Sequence, residues 1–275
     1  MAERIDVGAQ LADVWYPETS SVVYSSATIA VGDKFDHFAH EVGLDRAERG
    51  SYRSLRLDSS YDFDANMQVV VAQGLPDPTK QKDAYLEALA PLLIDVHLAM
   101  GGSVLTLFTN RTEMERMFNL VQPALAQQGL ELAAQLRGGN VRRLREHFIA
   151  ERSSSLFALK SFWEGFDARG DTLRCVVIPR LPFTPPTDPL SQERRLREGK
   201  EAWRNHDLPE SVLAMKQAAG RLIRSSTDRG VLVLADPRLT TMWYGRVFLA
   251  SLPKRSHEKV DAARVGEALR AWLGR

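Results

Sequence analysis

Short apolar runs separated by amphipathic stretches make up most of the chain. Residues 68–72, 103–108, 131–135, 155–159, 173–178 and 231–234 are apolar, bounded by polar or turn-forming residues, and predict strands. Residues 21–25 (Ser-Val-Val-Tyr-Ser) and 52–57 are short strand candidates of the same kind. Helical spacing fills the intervals. Val7, Leu11, Val14 and Trp15 share one face of a helix that stops at Tyr16-Pro17. Further helices are predicted over 34–42, ended by Gly43, and over 79–100, ended by Gly101-Gly102. Another spans 111–127, behind a Thr109 or Asn110 cap, and another 141–150. A charged helix over 191–205 leads into one that carries residues 217–224, with Asp207 and Glu210 as its capping box. Residues 238–249 and 258–273 read as the last two helices. Strands alternating with helices argue for an α/β fold: a parallel sheet with helices on both faces, three layers in one large domain.

Composition narrows the functional classes without choosing one. The chain has 275 residues, 44% of them hydrophobic, and a net charge of +1, so there is no global basic field. Cys175 is the only cysteine, which excludes a disulfide framework, a four-cysteine zinc site and a self-contained iron–sulphur cluster. The six histidines have no metal-ligand spacing, and no metal site is expected. No signal core or membrane-length run is present; the expectation is a soluble, cytoplasmic protein with no membrane partner.

The candidate chemistry is polar and clustered. In a continuous helix Gln217, Arg221 and Arg224 stand at i, i+4 and i+7, which puts one amide and two guanidinium groups on one face. Such a face suits a polyanion, most naturally a triphosphate. A solvated charged face before the strand at 231–234 is the plain alternative. Residues 161–171 form a loop after a strand, with Glu164 and Asp167 close together and Gly165 and Gly170 free to take unusual backbone angles. An acidic turn is the equally weighted alternative there. Thr109, Asn110 and Arg111 sit where a strand gives way to a helix, where free amides can meet a phosphate, or where the helix is simply capped. Ser26-Ala27-Thr28 follows the first strand candidate.

The order of these pieces carries a resemblance. Ser26-Ala27-Thr28, then Thr109-Asn110-Arg111, then Ser161-Phe162-Trp163-Glu164-Gly165-Phe166-Asp167, then Gln217-Ala218-Ala219-Gly220-Arg221-Leu222-Ile223-Arg224 resembles the C-terminal motor half of superfamily-two DNA helicases. The spelling of the last two, with the Leu181-Pro182-Phe183 turn, is similar to the DinG/XPD branch. The departures lie in the first half of such motors. The sequence holds no Gly-x-x-x-x-Gly-Lys-[Ser/Thr], no acidic box and no set of four cysteines. The resemblance implies a RecA-like second helicase domain of the P-loop NTPase type over residues 31–275. Residues 1–30 would be a remnant of the end of the first motor domain plus the crossover.

The same resemblance implies ligands and roles for single residues. ATP and Mg2+ would be bound by the full-length protein, with no iron–sulphur cluster in this chain. Arg224 would be the arginine finger and Arg221 a second phosphate contact or a domain-closing ion pair. Gln217 would sit near the γ-phosphate, and Glu164, Gly165, Asp167 and Gly220 would bind the nucleotide or couple it to DNA. Thr109, Asn110, Arg111 and Ser161 would contact single-stranded DNA, while Ser26 and Thr28 would couple the two motor domains. The partners would be single-stranded DNA and the first motor domain of the same protein. The orphan strand at 21–25 would pair elsewhere, across a dimer for instance. The chain alone is expected not to hydrolyse ATP. A stand-alone, non-catalytic nucleic-acid or partner-binding module is the main alternative. A small-molecule enzyme using Glu164 and Asp167 as acid and base is a lesser one.

Overall fold

A computed structural model describes residues 6–46, 52–159, 162, 172–254 and 256–274. The chain forms two compact units, Met1–Ser59 with Phe183–Leu213 and Ser60–Pro182 with Ala214–Arg275.

The larger unit is built on a seven-stranded sheet among the described residues, in the order β3-β4-β2-β5-β6-β1-β7. Its strands are β1 Met67–Gln73, β2 Val104–Leu107, β3 Glu131–Ala134, β4 Ser154–Ala158, β5 Cys175–Ile178, β6 Gly230–Leu234 and β7 Glu258–Asp261. Every pairing is parallel. The sequence logic is direct: β2, β4, β5 and β6 are buried at every position, as strands covered on both faces must be. Val70, Ala72, Val104, Val177 and Val233 pack with the Lys82–Met100, Arg111–Ala126 and Val265–Leu273 helices. Their strand neighbours Val69, Val71, Leu105, Val176 and Leu232 point to the opposite face and are equally buried. The expected α/β, RecA-like parallel sheet is the fold found.

Two strand predictions fail. Residues 21–25 join no sheet, and Val23 is 88% exposed. The alternation there reflects side-chain packing in the smaller unit. The Tyr24 ring meets Phe38 edge-on at 5.2 Å, and its hydroxyl lies 2.9 Å from that of Tyr16. The dimer expectation thereby loses its strand. Residues 52–57 are likewise unpaired, with Leu55 and Leu57 exposed.

Three helices also differ. The helix predicted over 258–273 begins with β7, which pairs with the free edge of β1. Asp261 then accepts from the Ala263 N–H at 3.0 Å and caps the 3-10 turn Ala262–Arg264, which leads into the Val265–Leu273 helix. Residues 238–249 split into Arg238–Thr241 and Gly245–Ala250, because the chain folds back there. A Cβ on Gly245 would lie 2.0 Å from the Leu239 carbonyl oxygen. The charged helix is Pro189–Glu198, ended by Gly199 at φ +60°. Nor is Asp207 a cap. Its carboxylate accepts from Ser191 Oγ at 3.2 Å and Arg195 Nη2 at 2.9 Å, while Glu210 accepts from Arg194 at 2.5 Å.

Two buried histidines make opposite demands on pH. In the larger unit, burial pushes His97 down to about 3 from 6.5, so it folds neutral. The unfolded chain therefore binds the extra proton, and stability is lost as pH falls below about 6.5. The loss is up to about 1.4 kcal/mol per pH unit and roughly 3 kcal/mol by ~pH 4.5. His97→Leu should flatten that acid limb in urea titrations followed against pH. In the smaller unit, both ring nitrogens of His206 face carboxylates, Glu41 at 3.0 Å and Glu198 at 2.7 Å. The hydrogen bond that the ring donates to Glu41 raises its pKa, burial opposes, and Glu198 adds to the rise. That contribution is full below about 6.5 and is lost as pH rises through the raised value. The His206→Gln variant should therefore differ most from the parent chain at the acid end and least at alkaline pH.

Candidate functional site

The Leu208–Ala219 helix ends before the first arginine of the motif. Gly220 and Arg221 form a turn instead, with Arg221 and Leu222 N–H groups donating to the Ala218 and Ala219 carbonyls at 3.3 and 3.2 Å. Gln217, Arg221 and Arg224 therefore do not share one helix face; they line a helix end and the turn after it. The reason lies in Leu222, which leaves the helix to pack on Gly230. A Cβ on Gly230 would lie 2.8 Å from Leu222 Cβ.

The turn is closed by its own polar groups. Asp228 accepts from the backbone N–H groups of Arg224 at 2.8 Å and Ser225 at 2.9 Å, and from Ser225 Oγ at 2.7 Å. Three such bonds fix the backbone that carries Arg224. The Arg221 side chain is buried and that of Arg224 half-buried. Burial pushes the Arg224 guanidinium down, and the Asp228 carboxylate opposes that shift. A guanidinium keeps its charge throughout the working pH range even so.

Topology fixes where these groups stand. Gly230 opens β6, and the Ser226 carbonyl accepts from Asn66, the residue before β1, at 3.4 Å. In a parallel sheet this is the amino edge. Thr109, Asn110 and Arg111 follow β2 and therefore occupy the carboxyl edge. Asn110 Oδ1 accepts from the Glu113 N–H at 3.0 Å, so it caps the helix as its residue type suggests. Arg111 donates from Nη1 to the Gln135 carbonyl at 2.7 Å and lies 3.9 Å from Glu115. Thr109 is half-buried. The structure thus separates the two candidate sets across the sheet. Ser161, Glu164, Gly165 and Asp167 lie outside the described residues. Ser26 and Thr28 lie in the smaller unit, where the Thr28 N–H donates to Ser26 Oγ at 3.2 Å in a self-closed turn. Among the described residues no cluster of His, Cys, Asp and Glu could hold a metal ion.

Residues 93–255 match the family model described as Helicase C-terminal domain. The chain belongs to that family, in its DinG/XPD-type branch. It is 35% identical over 265 residues to the ATP-dependent DNA helicase YoaA of Escherichia coli, covering 94% of this chain and 40% of that protein. It is 32% identical over 267 residues to a Bacillus subtilis protein named 3'-5' exonuclease DinG, covering 93% of this chain and 28% of that one. The chain therefore spans less than half the length of these relatives. Among solved structures, an XPD helicase superposes with a TM-score of 0.55 at 17% identity, over 71% of this chain and 35% of that one, which supports the fold.

This helicase C-terminal domain also carries a buried polar network at the carboxyl edge, centred on Asp236 and Arg238, the pair that closes the apolar run after the Gln217–Arg224 motif. Asp236, at the end of β6, accepts from Arg238 Nε at 2.9 Å and Nη2 at 2.5 Å, and from the Leu181 N–H at 2.8 Å. Glu113 accepts from Arg180 at 2.6 Å and lies 3.5 Å from Lys82 Nζ. The Tyr85 hydroxyl donates to the Pro179 carbonyl at 2.5 Å. Together these bonds tie the turns after β5 and β6 to the helices beside them. The sequence offers Asp236 and Arg238 together at the end of the apolar run; the contacts with Leu181, Arg180 and Tyr85 were not legible.

Proposed function

We infer that this domain is the second motor domain of an ATP-dependent DNA helicase and completes an ATP site whose phosphate-binding half lies in a preceding motor domain. One observation carries the reading: the Gln217–Arg224 turn and the Thr109–Arg111 corner stand at opposite edges of one rigid parallel sheet. Nucleotide and nucleic acid then each have an edge, and the sheet between them can transmit a change at one to the other. Phosphoryl transfer needs positioned charge more than covalent chemistry from the protein. Arg224, on a turn braced by Asp228, is the group suited to meet charge growing on the γ-phosphoryl oxygens. The burial of Arg221 suits it to bracing that turn or to a domain-closing ion pair. Gln217, on the last helical turn, is suited to orient water or the terminal phosphate. Glu164, Gly165, Asp167 and Gly220 would bind the nucleotide or couple it to the DNA edge, Ser161 would contact DNA with Thr109, Asn110 and Arg111, and Ser26 and Thr28 would couple the site to the preceding motor domain. ATP with Mg2+ and single-stranded DNA are the ligands of the full-length protein on this reading. The names of the relatives, with helicase and ATP dependence in them, point the same way.

The chain by itself should show no DNA-stimulated ATP turnover, because the Walker-type loop is absent from its sequence. The check is a phosphate-release assay with oligo-dT. Turnover that survives Arg224→Ala in this chain would defeat the reading.

A further inference from the structure

A groove of about 470 Å³ opens at the end of β3, the sheet's edge strand. Gln135, Gly138, Gly139, Asn140, Arg143 and His147 are among the residues lining it. It adjoins the Thr109–Arg111 corner, because Arg111 donates to the carbonyl of Gln135, itself part of the lining.

The Val141–Ala150 helix carries three arginines, Arg142, Arg143 and Arg145, and the structure gives each a different setting. Arg142 is spent on Glu146, to which it donates at 2.8 Å. Arg145 lies over the Phe162 ring at 4.9 Å. Arg143 is exposed, lines the groove and has no ion pair among the described residues. Arg137, two residues beyond Gln135, is exposed and also has no ion pair among them. The floor between these cations is Gly138-Gly139. Gly138 has φ +74° with open space around it, so no neighbour in the fold fills the place a side chain would take. Bare backbone of this kind lets an extended chain approach closely. Arg111, Arg137 and Arg143 thus form a basic series along one edge. The groove itself has one such cation, too few for a triphosphate and suited to one phosphodiester of a strand.

We propose that this groove is an additional single-stranded DNA subsite, in which Arg143 holds a backbone phosphate over the Gly138-Gly139 floor and extends the track that begins at Thr109–Arg111. The proposal rests on the reading of the carboxyl edge as the DNA edge.

The test uses the full chain and fluorescein-labelled oligo-dT, with anisotropy followed across a salt series. Arg143→Ala should weaken binding roughly three- to tenfold at low salt, the loss of one charge-assisted contact. It should also lower the slope of log affinity against log salt by about 0.7, as one lost phosphate does for a single strand. Arg142→Ala, on the same helix but paired with Glu146, should leave both quantities near the parent values. Arg143→Lys should restore the slope. Equal effects of the two alanine variants would overturn the subsite, as would competition by dTMP at the concentrations at which oligo-dT binds. Salt-sensitive binding that is indifferent to Arg143 would remove the subsite and leave the DNA edge standing. No salt-sensitive binding by the parent chain would remove both.

Discussion

Replacing Arg224 by alanine in the full-length parent is expected to lower ATP turnover by roughly 10³–10⁵-fold, the usual worth of an arginine finger. Binding to single-stranded DNA should change little. The asymmetry follows from the geometry: Arg224 stands at the amino edge of the sheet and the DNA candidates stand at the carboxyl edge. Arg224→Lys keeps the charge but loses the planar fork, so it should recover only part of the rate. The backbone of the turn should survive either change. Its anchor is the Asp228 carboxylate receiving the Arg224 and Ser225 N–H groups, and neither bond uses the arginine side chain. Steady-state turnover at saturating oligo-dT, beside oligo-dT affinity for the same variant, reads both quantities. Parallel loss of the two would move Arg224 to the DNA edge.

The second large effect is on stability. Asp236→Ala should cost about 3–5 kcal/mol, because it removes the carboxylate that pairs with a largely buried guanidinium and takes the acceptor from a buried N–H. Asp236 is fully buried, receives two side-chain bonds from Arg238, and also accepts from the Leu181 N–H. In a domain of this size that corresponds to a fall in Tm of about 10 °C. Asp236→Asn retains one acceptor for Leu181 and should lose less. Differential scanning calorimetry of the three proteins gives the comparison. A fall no larger than that of an ordinary surface substitution, under ~0.5 kcal/mol, would mean that the network contributes nothing.

These two sites differ in how far the sequence announced them. The buried strands were legible because parallel strands covered on both faces read as unbroken apolar runs, as in Val231–Leu234 within β6. The Arg111–Ala126 helix was legible through its Asn110 cap, while the Asn140 cap of the Val141–Ala150 helix came only with the structure. Glu258–Asp261 was misread because a short, polar edge strand has no burial pattern of its own; only the free edge of β1 makes it a strand. Residues 21–25 misled in the other direction, since a short apolar run can pack a side chain, as Tyr24 does on Phe38, without joining a ladder. At the candidate site, the identities of Gln217, Arg221 and Arg224 were legible and their arrangement was not. The helix stops at Ala219 because Leu222 packs on Gly230, a contact across the turn that no local period encodes. The pairing of Glu113 with Arg180 was equally hidden, because 67 residues separate the partners.

Photo-crosslinking of the full-length parent tests the assignment of the two edges most directly. An ATP analogue carrying its reactive group at the terminal phosphate should label the peptide containing Gln217–Arg224, and photoreactive oligo-dT should label the peptides after β2 and β3. ATP label after β2, or DNA label on the Arg221–Arg224 turn, would contradict the account.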